Sequence, residues 1–138
     1  MSSTLLLVAG AIFVLLGGLH ALYTLADERR PRRIVPDDPA VREAMAGTGV
    51  RLARGGTTMW RAWVGFNLSH ALGAVLFGAL VMLLGYSWQE PTPPRFILLL
   101  PLGVTLVYLA LSIRYWFRTP TAGIALAAAC IAAAWMLA

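Results

Sequence analysis

The chain has two histidines, and both lie inside long apolar runs, His20 in 5–26 and His70 in 62–85. Hydrocarbon penalises any polar group left without a partner, so imidazoles at such positions call for either a hydrogen-bond partner or a chemical task. The densest polar group surrounds the second of them, in Trp60-Arg61-Ala62-Trp63-Val64-Gly65-Phe66-Asn67-Leu68-Ser69-His70. Trp63, Asn67, His70 and Ala74 fall at i, i+4, i+7 and i+11, which places them on one helix face. Thr24 follows His20 by one turn. At 1.5 Å of rise per residue, His20 lies ~9 Å from the arginine-rich end of its run and His70 ~12 Å from that of its own. The two imidazoles are therefore expected at one depth.

Three chemistries fit this group. In the first, His20 and His70 hydrogen-bond across helices or to Asn67, Ser69 and Thr24, which fixes helix register at roughly 0.6 to 2 kcal/mol per bond. In the second, His20, Thr24, Trp63, Asn67, Ser69 and His70 form with Phe66 and Phe13 a pocket for a lipid, a quinone or a similar amphiphile, its head held by Asn67 and a histidine. In the third, the imidazoles bind a metal or serve as the two axial ligands of a haem b, as facing helices of bundles can. Zinc is poorly served by two histidines without a third ligand. A binding or accessory protein without a cofactor is the preferred outcome, and a haem-carrying redox protein the alternative.

Enzymatic chemistries lack parts. The apolar runs contain neither Asp nor Glu, which leaves proton-coupled transport without a relay. Ser69 and His70 are about 100° apart on a helix and cannot act as nucleophile and base for each other. No G-x-x-x-x-G-K-[ST] pattern surrounds Gly55-Gly56-Thr57-Thr58, so that segment is a turn and not a phosphate cradle. The single cysteine, Cys130, rules out a C-x-x-C pair and reads as a small buried residue. No catalytic residue is assigned.

The elements that must position these residues are membrane helices. Of 138 residues 59% are hydrophobic and only 12% charged, too apolar for an ordinary soluble domain. Four uncharged runs, 5–26, 62–85, 96–113 and 122–138, match the roughly 20 helical residues that cross about 30 Å of hydrocarbon. They are apolar on all sides, without the period-two alternation of barrel strands. The fold expected is all-α, a bundle of four transmembrane helices forming one integral membrane domain over 1–138.

All eleven basic residues are arginines, and eight of them (29, 30, 32, 33, 42, 51, 54 and 61) lie between the first and second runs. Arg95 lies between the second and third, and Arg114 and Arg118 between the third and fourth. The positive-inside rule then places both termini outside and the first and third loops in the cytoplasm. Tyr23, Trp60, Trp63, Tyr115 and Trp116 would mark the inner boundary and Tyr86, Trp88 and Trp135 the outer one. The net charge of +5 is accounted for by orientation, with anionic lipid headgroups as partners rather than nucleic acid. Within the first loop, Asp38 followed by Pro39 reads as a helix start and Gly47 as a stop. Val41, Ala44, Met45 and Thr48 share a face of that short helix, which is expected to lie along the inner interface.

The loop at 86–95, with Pro91, Pro93 and Pro94, reads as a tight exterior turn, and Pro101, early in the third span, is expected to kink that helix through its missing N–H and ring clash. Thr105, Tyr108 and Ser112 share a face of that span. The short third loop makes the last two spans antiparallel neighbours. Gly10, Gly17 and Gly18, the alanines of the last span, and Gly65, Ser69 and Gly73 at four-residue spacing are the small residues available for close helix packing. The 65/69/73 stripe would serve packing within one bundle, a homodimer or a larger membrane complex.

The arrangement of four spans in this length resembles small bacterial four-helix inner-membrane proteins of the DoxX-like type. Over residues 45–75 the glycine- and threonine-containing lead-in, Met59-Trp60 and Trp63-Val64-Gly65-Phe66 look like an uncharacterised bacterial family of this kind. The resemblance implies a protein of the bacterial cytoplasmic membrane and carries over no catalytic residue.

Overall fold

The computed structural model describes residues 1–88 and 94–138, and it is all-helical. The prolines at 91 and 93, read from the sequence as part of a tight turn, lie outside the described residues. Five α-helices follow one another: α1 (Ser2–Arg29), α2 (Pro39–Gly47), α3 (Met59–Ser87), α4 (Leu99–Tyr115) and α5 (Arg118–Met136), with short 3-10 turns at Arg51–Ala53 and Arg95–Leu98. Four of these, with the Arg95–Leu98 turn counted into α4, are long and apolar enough to cross a membrane. A helix satisfies its own backbone groups, which is why apolar runs of this length take no other form in lipid.

The helices α1 and α3 begin and end beyond the uncharged runs 5–26 and 62–85. Thus α1 passes through Asp27 and Glu28 to Arg29, and α3 begins at Met59, where the Thr58 hydroxyl accepts the N–H of Arg61 at 3.3 Å. Pro120 falls in the first turn of α5, where a missing N–H costs nothing. Pro101 is buried in the first turn of α4, just after 3-10 winding gives way to α winding.

The chain divides into two compact units, residues 1–16 with 74–138, and residues 17–73. In the first, one apolar core joins Leu6, Ala9 and Phe13 to Ala74, Val81 and Trp88, and to Leu98, Ile124, Ala127 and Ile131. Phe13 is its centre, edge-on to Phe77 at 4.8 Å and to Tyr108 at 5.5 Å between ring centroids. Backbone meets backbone where α1 and α3 pass at Gly10 and Gly78, and the Ser3 hydroxyl donates to the Gly85 carbonyl at 2.6 Å. Only Trp116 and Phe117 separate α4 from α5, and the two helices are neighbours. Thr105 and Ser112 are buried on one face of α4, each hydroxyl turned onto its own helix, to Pro101 O at 2.8 Å and Leu109 O at 2.9 Å. Cys130 is buried and free.

Trp88 is buried in the core. One sequence reading is corrected in this part of the fold. The buried positions of α3 are Val64, Asn67, Ala71, Ala74, Gly78, Val81 and Gly85, a 3.5-residue repeat of the kind that seams left-handed helix pairs. Gly65, Ser69 and Gly73 stand off that seam and are exposed. Four-residue spacing finds a stripe of small residues, but rotation about the helix axis decides which stripe packs.

Candidate functional site

In the second unit α1 runs from Gly17 to Arg29 and α3 from Met59 to Gly73, with the 30–58 segment between them. The buried positions of α1 are Gly17, Thr24 and Asp27, and those of α3 Val64, Asn67 and Ala71. Beside Gly17, Val64 and Ala71, this unit buries the polar side chains of Thr24, Asp27 and Asn67. Polar groups at such positions must be satisfied by one another or by the backbone.

They are, in one connected series. The Asn67 side chain, 4% exposed, donates from Nδ2 to the Trp63 carbonyl one turn back at 2.8 Å. Its Oδ1 is thereby turned to His20 and lies 3.0 Å from Nε2. An amide oxygen only accepts, so His20 Nε2 carries the proton and donates, which fixes the tautomer of neutral His20 with Nδ1 as acceptor. Thr24, also 4% exposed, donates its hydroxyl to the His20 carbonyl at 2.9 Å. The Trp63 indole donates to the Ile34 carbonyl at 3.2 Å and ties α3 to the segment that follows α1. His70 stands edge-on to His20, ring centroids 5.5 Å apart, with Phe66 nearly parallel to it at 6.5 Å. Both imidazoles are half-buried, and Phe66 is exposed.

His20, Asn67 and His70 therefore meet as the heptad-like spacing allows, and Thr24 and Trp63 support them through the backbone. Ser69 does not join them. Against its place in the expected set, it is exposed and its hydroxyl donates to the Phe66 carbonyl at 2.9 Å, because it stands one residue short of His70 and about 100° round the helix. Phe13, expected as a pocket wall, is buried in the core of the first unit.

One residue outside the expected set organises the whole segment. Asp27 is 2% exposed, and its carboxylate accepts the backbone N–H groups of Arg32 at 3.0 Å, Arg33 at 3.1 Å and Ile34 at 2.6 Å. Counted by charge, Asp27 is one acid among the arginines. Its signal is positional: a carboxylate in the last turn of a helix opposes the macrodipole and needs a compensating partner, and the Arg-Pro that follows ends the helix and frees N–H groups to supply one.

The arrangement presents a paired imidazole edge of defined tautomer beside an exposed aromatic ring, on the flank of two apolar helices. That combination sets polar imidazole groups beside an exposed apolar ring. As axial ligands of one iron, the two imidazoles would approach it from opposite faces. Here the rings stand edge to face and His20 Nε2 is engaged by Asn67, so ligation of a metal through Nε2 would break that bond, whereas Nδ1 is left as an acceptor. Among the described residues no group of three or more His, Cys, Asp or Glu side chains could hold a metal ion.

No protein-family model, no curated protein and no solved structure matches this chain. The site is defined by its own geometry.

Proposed function

We propose that this is a multi-pass protein of the bacterial cytoplasmic membrane, akin in architecture to small DoxX-like proteins. In this proposal it binds a flat-headed amphiphile such as a quinone, or a lipid, at His20, Asn67 and His70, and it acts as a binding or accessory protein rather than an enzyme. The observation that carries the proposal is the fixed His20–Asn67 bond beside a half-buried His70 stacked on an exposed Phe66.

The test is co-purification. Detergent-purified protein is extracted and the extract is analysed for quinones and lipids by mass spectrometry, and a short-chain ubiquinone is titrated against tryptophan fluorescence. His70→Leu should lower quinone affinity about tenfold, the worth of one lost hydrogen bond of typical strength together with the ring stack, and leave the melting temperature within a few degrees. If His70→Leu and Asn67→Leu both unfold the protein, the pair is structural and the proposal fails. A Soret band after haem-replete expression, lost in His20→Leu, would establish the haem b alternative instead.

The orientation, both termini outside and α2 along the inner interface, is supported by the arginine counts and by the exposed Val41 and Ala44 of α2. In a Cys130→Ala background, Leu52→Cys should be protected from a membrane-impermeant maleimide in intact cells, and Thr92→Cys should be labelled. Labelling of Leu52→Cys from outside would reverse the topology.

A further inference from the structure

Beside the segment held by Asp27 lies a cavity of about 460 Å³, lined by Arg32, Arg33, Arg42, Pro39, Asp37 and Glu43 among others. Two of its arginines are held by aromatic rings. The Arg33 guanidinium lies over Tyr23 at 4.5 Å from the ring centroid, and that of Arg42 over Trp60 at 4.8 Å. Stacking occupies the face of a guanidinium and leaves its edge N–H groups as donors in a fixed plane. Arg42 Nε is buried and has no hydrogen-bond partner. A buried donor without an acceptor is costly, and a charged one more so.

These features fit one kind of ligand. Three arginines against Asp37 and Glu43 leave an excess of one positive charge in this cavity, and one of them, Arg42, has a guanidinium whose Nε lacks an acceptor. A planar guanidinium edge matches the paired oxygens of a phosphoryl group better than any other common anion of the headgroup layer apart from a carboxylate. The two carboxylates at the rim suit an amine carried by the same head. The ends of α1 and α3 bound this unit, so in a chain that spans a bilayer the cavity stands at headgroup depth.

We propose that this cavity is a phosphoryl-binding site that takes the headgroup of a phospholipid. It rests on the membrane reading of α1 and α3 and is independent of the His20/His70 site. Two sources share the chemistry, a lipid phosphodiester and free phosphate, and the experiment separates them. Delipidated protein is titrated with phosphatidylethanolamine and with phosphatidylglycerol in mixed micelles, with diacylglycerol as the phosphate-free control, and with inorganic phosphate alone, binding being read by native mass spectrometry.

Retention of one phospholipid per chain, with none of diacylglycerol, is the expected result. Arg42→Lys keeps the charge but removes Nε and the planar fork, and should weaken phospholipid binding about tenfold or more. Arg32→Gln, whose backbone N–H bond to Asp27 is untouched, should weaken it similarly and provides a second route if Arg42→Lys folds poorly. Arg51→Gln, outside the cavity, should change nothing. Saturable binding of inorganic phosphate with no phospholipid retained would keep the phosphoryl site but overturn its lipid occupant. Equal binding by both variants and wild type, or equal retention of diacylglycerol, overturns the proposal. Failure of the protein to sediment with membranes after carbonate extraction would instead overturn the membrane reading beneath it.

Discussion

Gly10→Leu should yield no monodisperse folded protein, and Gly10→Ala should be destabilised by about 1 to 3 kcal/mol or more, the range for overpacking a closely packed contact. A Cβ on Gly10 would stand 2.5 Å from the Gly78 carbonyl oxygen and 2.8 Å from the Met82 nitrogen, and a Cβ on Gly78 would stand 2.5 Å from the Gly10 carbonyl oxygen. The atoms in the way are backbone, which cannot rotate aside as a side chain can. The helices would have to separate, and the separation would carry Phe13 away from Phe77 and Tyr108, the centre of the core. Gly18→Ala is the matched control: its Cβ would meet nothing within 4 Å, and replacing glycine inside a helix should raise stability by up to about 1 kcal/mol. Melting read by size-exclusion chromatography after heating in detergent separates the two. Equal melting of Gly10→Ala and Gly18→Ala would show that α1 and α3 do not approach as described.

That contrast also marks how far the sequence could be read. The number and extent of the spans follow from length, apolarity and charge, terms that do not depend on which helix touches which. The start of α2 at Asp38 and Pro39 follows from local chemistry, and Asp38 does accept the Ala40 N–H at 2.8 Å. The meeting of His20 with His70 was legible because depth along a helix is a simple count of residues. Gly10 is among the small residues that read as available for packing, but its partner Gly78 is not, because rotation about the helix axis decides which small residues face a neighbour and apolar runs that are hydrophobic all round carry no moment to reveal it. Ser69 fell to the same ambiguity. Asp27 was hidden for another reason: its partners are backbone N–H groups, which every sequence contains and none displays.

Asp27→Leu should open the 30–34 segment while the core of the first unit keeps its melting temperature. The substitution leaves the N–H groups of Arg32, Arg33 and Ile34 without their acceptor. Unpaired buried donors cost about 1 to 3 kcal/mol each, but a segment at the end of a unit escapes most of that cost by opening to water. An opening equilibrium shifted by about 3 kcal/mol is a change of about 100-fold. Trypsin cleavage after Arg32 and Arg33 in native detergent solution should accelerate accordingly, and amide exchange at Ile34 should follow it. Asp27→Asn, which keeps the shape but replaces one acceptor oxygen with a donor, should fall between. Glu28→Gln, on the exposed neighbour, should cleave as the wild type does. The segment also supplies the Ile34 carbonyl to Trp63, whose own carbonyl positions Asn67, which in turn holds His20. Asp27→Leu should therefore weaken amphiphile binding at the histidines although it touches neither, whereas Trp63→Phe should do so without accelerating cleavage after Arg33 to the same degree. Wild-type cleavage rates in Asp27→Leu would mean that the arginine segment is held by its stacking on Tyr23 and Trp60, and that the carboxylate is not its anchor.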